Sequence, residues 1–211
     1  MCIRDSFEIE GIYVHHFDRT DLKTFFDGNQ FRIFMTEVDH YGLSSSLVLD
    51  AFIFKTELVY RDFKDSLVLK DLPSITFEQE DYGVAALGIE YVTDHQSGSE
   101  SNIILETQHL VMVGSDKRES VIPFQRDLLL SLRHSLNDIQ GKEFIFTAIA
   151  DLEFQKELLL SLKYSQRLSE NWKSTFQLRY VDAPPNSEFD ISGIRPLHND
   201  HQLDLILSRF F

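Results

Sequence analysis

His201-Gln202-Leu203-Asp204-Leu205-Ile206-Leu207-Ser208-Arg209-Phe210-Phe211 alternates apolar and polar residues up to the last position. In an extended strand successive side chains point to opposite faces. Leu203, Leu205, Leu207 and Phe211 therefore share one side, while Gln202, Asp204 and Ser208 share the other. The stretch reads as a ribbon with one oily and one wet side, and the fold depends on whether the rest of the chain repeats it.

It does. Over 156–181, Leu158, Leu160, Leu162 and Tyr164 alternate with Leu159, Ser161, Lys163 and Ser165. After the turn Ser169-Glu170-Asn171, Trp172, Ser174, Phe176, Leu178 and Tyr180 alternate with Lys173, Thr175, Gln177 and Arg179. A helical stripe would recur at three and four residues instead of two. Residues 127–136 set Leu128, Leu130, Leu132 and Leu136 against Ser131, Arg133 and Ser135, with His134 the one polar interruption of the oily side. Residues 143–152 set Phe144, Phe146, Ala148 and Ala150 against Glu143, Thr147 and Asp151, and Phe52, Phe54, Leu58 and Tyr60 oppose Lys55, Glu57 and Arg61. Further strands are expected over 41–49, 81–92 and 102–113, and a less regular one over 7–16. Residues 17–40 read as a long connection containing a short strand, Phe31–Thr36.

Composition narrows the class. The 211 residues suffice for one sizeable domain, and no apolar run reaches the length of a membrane-crossing helix. The formal charge of −14 argues against nucleic acid, whose phosphates need a clustered basic surface. Acidic residues gather in connections such as Glu78-Gln79-Glu80-Asp81, either as plain solvated surface or as loops that share divalent cations with lipopolysaccharide. The single cysteine, Cys2, can form no internal disulfide. It lies in Met1-Cys2-Ile3-Arg4-Asp5-Ser6, which resembles a translated sequencing-adaptor remnant. The natural amino terminus is then expected upstream, and residues 7–211 are read as the β domain.

About ten strands leave two architectures. One is an antiparallel up-and-down β-barrel in a membrane, with the oily sides on lipid. The other is a soluble β-sandwich or lipocalin-like cup with the oily sides packed together. Connection lengths favour the first. Short links (50–51, 93–101, 137–142, 169–171) alternate with longer ones (17–40, 62–80, 114–126, 182–200), and 153–156 alone breaks the pattern. Barrels characteristically have short turns at one rim and long loops at the other.

Several segments add a family resemblance: Tyr41-Gly42-Leu43, Phe54 through Tyr60-Arg61-Asp62, Gly88-Ile89-Glu90-Tyr91, Pro123-Phe124-Gln125-Arg126-Asp127, Leu130-Ser131-Leu132-Arg133 with Leu136-Asn137-Asp138, and Ser165-Gln166-Arg167-Leu168 with Asn171-Trp172-Lys173. Over residues 40–211 the chain resembles the carboxyl-terminal portion of an uncharacterised, porin-like family of proteobacterial outer-membrane β-barrel proteins. The terminal strand resembles the signal by which barrel assembly machinery recognises its clients, carried here by Leu203, Leu205, Leu207 and Phe211. The resemblance implies a bacterial outer-membrane location, contact with membrane lipid and lipopolysaccharide, further strands upstream, and passage of small polar solutes or ions. A non-conducting structural or adhesion barrel is the alternative.

On the wet faces Lys55, Glu57, Glu90, Glu106, Arg133, Lys163, Arg167, Lys173 and Arg179 are the candidate lumen-lining residues, with acids mostly on early strands and bases on late ones. Such arcs either produce a transverse field that orients solutes or form interior salt bridges. Tyr164, Trp172 and Tyr180, at strand ends, are candidate interface aromatics. Two clusters, His15-His16-Phe17-Asp18 and His198-Asn199-Asp200-His201, have metal-ligand chemistry but sit where polar strand ends are expected anyway. No metal or other cofactor is expected. No nucleophile elbow, zinc-protease motif or phosphate loop is present. His134 with Ser131 or Ser135 is a poor dyad, since Ser135 faces the other way. An enzyme is not expected.

Overall fold

The computed structural model describes residues 5–19, 23–26, 30–64, 67–68, 76–77, 80–115, 117–122, 124–153, 157–185 and 194–210. Phe211, Glu78, Gln79 and most of the adaptor-like stretch lie outside them. Along the chain the strands are β1 (Ser6–Phe17), β2 (Lys23–Phe26), β3 (Phe31–Phe34), β4 (Glu37–Leu49), β5 (Phe52–Phe63), β6 (Leu67–Val68) and β7 (Thr76–Phe77). They continue as β8 (Tyr82–Asp94), β9 (Glu100–Val111), β10 (Arg126–Ser135), β11 (Glu143–Asp151), β12 (Leu158–Ser169), β13 (Trp172–Asp182) and β14 (Gln202–Arg209). Helix is confined, among the described residues, to one turn of α1 (Arg118–Val121) and a 3₁₀ turn at Arg195–Leu197.

Ten strands form one antiparallel sheet in the order β1-β4-β5-β8-β9-β10-β11-β12-β13-β14. Every neighbour in the sheet is the next long strand in the chain, so the path is up-and-down throughout. The fold is all-β as the alternation predicts, and the sheet is open: β1 and β14 are its edges. Ser6, set aside in the sequence reading, opens β1 and pairs with Val48. The two small hairpins, β2 with β3 and β6 with β7, extend from the first two long connections.

The two rims differ. At one, strands reverse through tight turns with left-handed residues at Asp50, Gly98, Asn137 and Gly141. Glycine takes that conformation without steric cost, and Asp and Asn do so more readily than most residues. At the other rim lie the connections 18–36, 64–81, 112–125, 152–157 and 183–201. What little core exists sits there, on the polar side of the sheet. Tyr82, Leu110 and Val113 pack with Phe63, Val84, Val121 and Ile122 beneath the 112–125 connection. Val181, Ala183 and Ile194 pack with Leu159 and Leu197 beneath 183–201.

Candidate functional site: the two faces of the sheet

Residues directly opposite in a sheet share a face, so the registers fix the faces without ambiguity. One row runs Leu49, Phe52, Tyr91, Ile103, Leu132, Phe146, Leu162, Leu178, Leu203 across nine strands. Its neighbour runs Leu47, Phe54, Ile89, Leu105, Leu130, Ala148, Leu160, Tyr180. These side chains pack against each other within the face and, among the described residues, have no second layer over them. Leu203 is 67% exposed and Leu205 80%, and Leu105, Leu132 and Leu178 are also exposed. Among the described residues the oily side is therefore not packed as the inside of a sandwich or cup.

Aromatic residues mark both ends of this face. Toward the long connections Tyr13, Tyr41 and Tyr60 line up, with ring centroids 5.2 and 6.1 Å apart. On β13 the same end carries Tyr180, stacked on His201 at 4.9 Å. Toward the tight turns stand Phe52 with Tyr91 (4.8 Å), Phe144 with Tyr164 (4.6 Å), and Trp172 beneath the Arg209 guanidinium.

Tyr13, Tyr41 and Tyr60 share one row, but from β5 onward the markers drift across the sheet. The row through Tyr180 reaches β5 at Phe54, six residues short of Tyr60. The first acid beyond each tyrosine behaves alike: the row through Asp182 reaches β5 at Thr56, six residues short of Asp62. β13 lies six places from β5 in the sheet. Between β5 and β13 the oily band thus shifts by one residue per strand. With about 3.3 Å per residue and about 4.8 Å between strands, a level band requires strands leaning by about 35°. The eight residue steps from Phe52 to Tyr60 then stand about 22 Å tall. Tilt and height both agree with the habit of membrane barrels, whose apolar band is about 25 Å tall. The recurring signal, an outward tyrosine with an acid two residues nearer the loops, is written in Asp39-His40-Tyr41, Tyr60-Arg61-Asp62 and Tyr180-Val181-Asp182. Reading it as a level needed the register.

All nine charged residues singled out from the sequence lie on the opposite face. Lys55 pairs with Glu90 at 2.9 Å, and Asn102 donates to the same carboxylate at 2.7 Å. Arg133 meets Glu143 at 3.1 Å and Arg179 meets Asp200 at 2.5 Å. Glu57, Glu106, Lys163, Arg167 and Lys173 have no side-chain partner among the described residues. The acids Glu57 and Glu106 stand on β5 and β9, and the three bases on β12 and β13, so charge is segregated along the face.

Buried and half-buried charge pairs tie the connections to the loop rim. Arg61 on β5 holds Asp18 at 3.0 Å and donates to the Tyr82 hydroxyl at 2.8 Å. Arg195 holds Glu157 at 2.6 Å, and Arg118 holds Glu153 at 3.1 Å. Beyond the tyrosine row, outside the oily band, Asp39 accepts from Lys64 (2.7 Å), His15 (2.8 Å) and Tyr13 (3.0 Å). The Lys64 hydrogen bond, followed by that of His15, holds the Asp39 carboxyl down to about 2.

The histidine clusters do not form metal sites. His198 meets the Ala183 carbonyl, His201 stacks on Tyr180, and His16 meets the Phe17 carbonyl. Among the described residues no three His, Cys, Asp or Glu side chains converge on a metal position. His134 has a partner that the sequence reading missed. Its Nδ1 lies 2.8 Å from the Ser101 hydroxyl on β9, which also meets His95 at 2.8 Å. That pairing crosses strands, so local spacing held no sign of it. No protein-family model, no curated protein and no solved structure matches the chain.

Proposed function

We propose that the chain is wall of a bacterial outer-membrane β-barrel, with its oily face on lipid and its charged face toward a lumen that passes small polar solutes or ions. One observation carries this reading: among the described residues nothing covers the leucine and phenylalanine side, while Val121, Ile122, Ile194 and Leu197 of the connections pack on the other side. Fully burying one such side chain is worth about 1.5–3 kcal/mol, so leaving the whole face in water would forgo roughly tens of kcal/mol. Acyl chains recover that energy, and the level band of matching height supports the same occupant. Membrane lipid and lipopolysaccharide are the partners this implies, with the barrel assembly machinery reading β14.

The test is refolding into detergent micelles or lipid vesicles, followed by planar-bilayer recording. We expect a heat-sensitive gel mobility that appears only with amphiphile, and discrete conductance steps whose ion selectivity changes when Arg133 and Arg179 are both replaced by Glu. A chain that folds fully in plain buffer would overturn the membrane reading. The non-conducting alternative draws on the ion-paired connections over the loop rim. Folding without conductance would select it.

A further inference from the structure

On the charged face β5, β8, β9, β10 and β11 border a cleft of about 290 Å³. Three acids line it: Glu57, Glu106 and Asp127. Asp127 is only 8% exposed, and neither of its carboxylate oxygens has a hydrogen-bond partner among the described residues. Its cross-strand neighbour is another acid, Asp151. An ionised carboxylate taken from water without a counter-charge is costly, so Asp127 must either hold a proton or be met by a cation. The lysine of the cleft cannot supply it, because Lys55 is committed to Glu90.

The cation is not a metal ion, since the acids stand on different strands and do not converge. Glu57 and Asp127 lie in one row, separated by Ala86 and Gln108. Three strand spacings make that about 14 Å. Glu106 stands between them on β9, two residues from Gln108 on the same face, and is the row partner of Gly88. Gly88 keeps the middle open: a Cβ there would lie 3.3 Å from the Glu106 Cγ and 3.6 Å from the Lys55 Cβ. Phe124, Leu129 and Ile149 give the remaining wall an apolar lining.

From this spacing of acids over an apolar floor, we infer that the cleft binds a linear polyamine, its ammonium groups on Glu57, Glu106 and Asp127 and its methylene spacers on the apolar wall. The inference rests on the proposed lumen only for how the amine arrives; the site itself does not need a conducting barrel.

Spermidine is titrated calorimetrically into the full chain folded in detergent, with magnesium chloride as the comparison. We expect saturable spermidine binding that magnesium at equal charge does not displace. It should weaken at least tenfold in Glu57→Gln/Glu106→Gln and in Gly88→Val, the latter leaving every charge in place. Unchanged gel mobility in both variants excludes misfolding. Equal displacement by magnesium, or full binding by Gly88→Val, would overturn the site. In bilayers, spermidine should reduce the wild-type current. Binding without any current would keep the site and refute passage, whereas current with neither binding nor block would keep passage and refute the site.

Discussion

Asp39 shows how single residues hold the loop rim. Its carboxylate gathers a histidine and a tyrosine from β1 and a lysine from just past β5, so ionising it is linked to folding. A carboxyl whose value is lowered in the folded state stabilises above its unfolded value and loses that contribution as pH falls through the folded one. Here the loss runs from about 4, the ordinary aspartate value, down to about 2. Unfolding in lipid followed between those pH values should show a decline that Asp39→Asn flattens. An equal slope in wild type and variant would refute the linkage. At this scale the sequence was readable by face but not by partner. Lys55, Glu90, Arg133 and Arg179 fall on one side because a strand has period two. The Lys55–Glu90 and Ser101–His134 contacts depend on which strand slides against which, and alternation is silent on register.

Among elements, β9 separates the oily band into depths. Leu105 lies near the middle of the tilted band, whereas Val111 on the same face lies past its loop-side edge. Arginine at a bilayer midplane costs a barrel about 2–4 kcal/mol, falling to about 0–1 kcal/mol near the interface. We therefore expect Leu105→Arg to lose about 2–4 kcal/mol and Val111→Arg at most about 1 kcal/mol, measured by denaturant unfolding from vesicles. Equal losses would show that depth plays no part. The ten long strands were legible because each carries enough alternating residues to outweigh its irregular positions. The two-residue strands β6 and β7 carry no period at all, and of the other small hairpin only Phe31–Phe34 was foreseen. The long and short connections were readable from composition alone, since the tight turns need Asp, Asn or Gly at left-handed positions.

At the scale of the whole sheet, charge is arranged rather than merely abundant. The net charge of −14 says little by itself, but unpaired acids on β5 and β9 and unpaired bases on β12 and β13 produce a field along the sheet. Neutralising Lys163, Arg167 and Lys173 together by Gln should move bilayer reversal potentials further toward cations, and neutralising Glu57 and Glu106 should move them back. Identical reversal potentials would mean that these groups do not face the conducting path. The one-residue drift has a further consequence. From β5 to β13 the greasy belt climbs like a ramp through six residues, or about 20 Å of strand length. Any ring completed from this sheet must take up that rise where its edges meet. A joining strand laid level with β1 would meet β14 far out of step, so the lean of these ten strands dictates the register of whatever closes them.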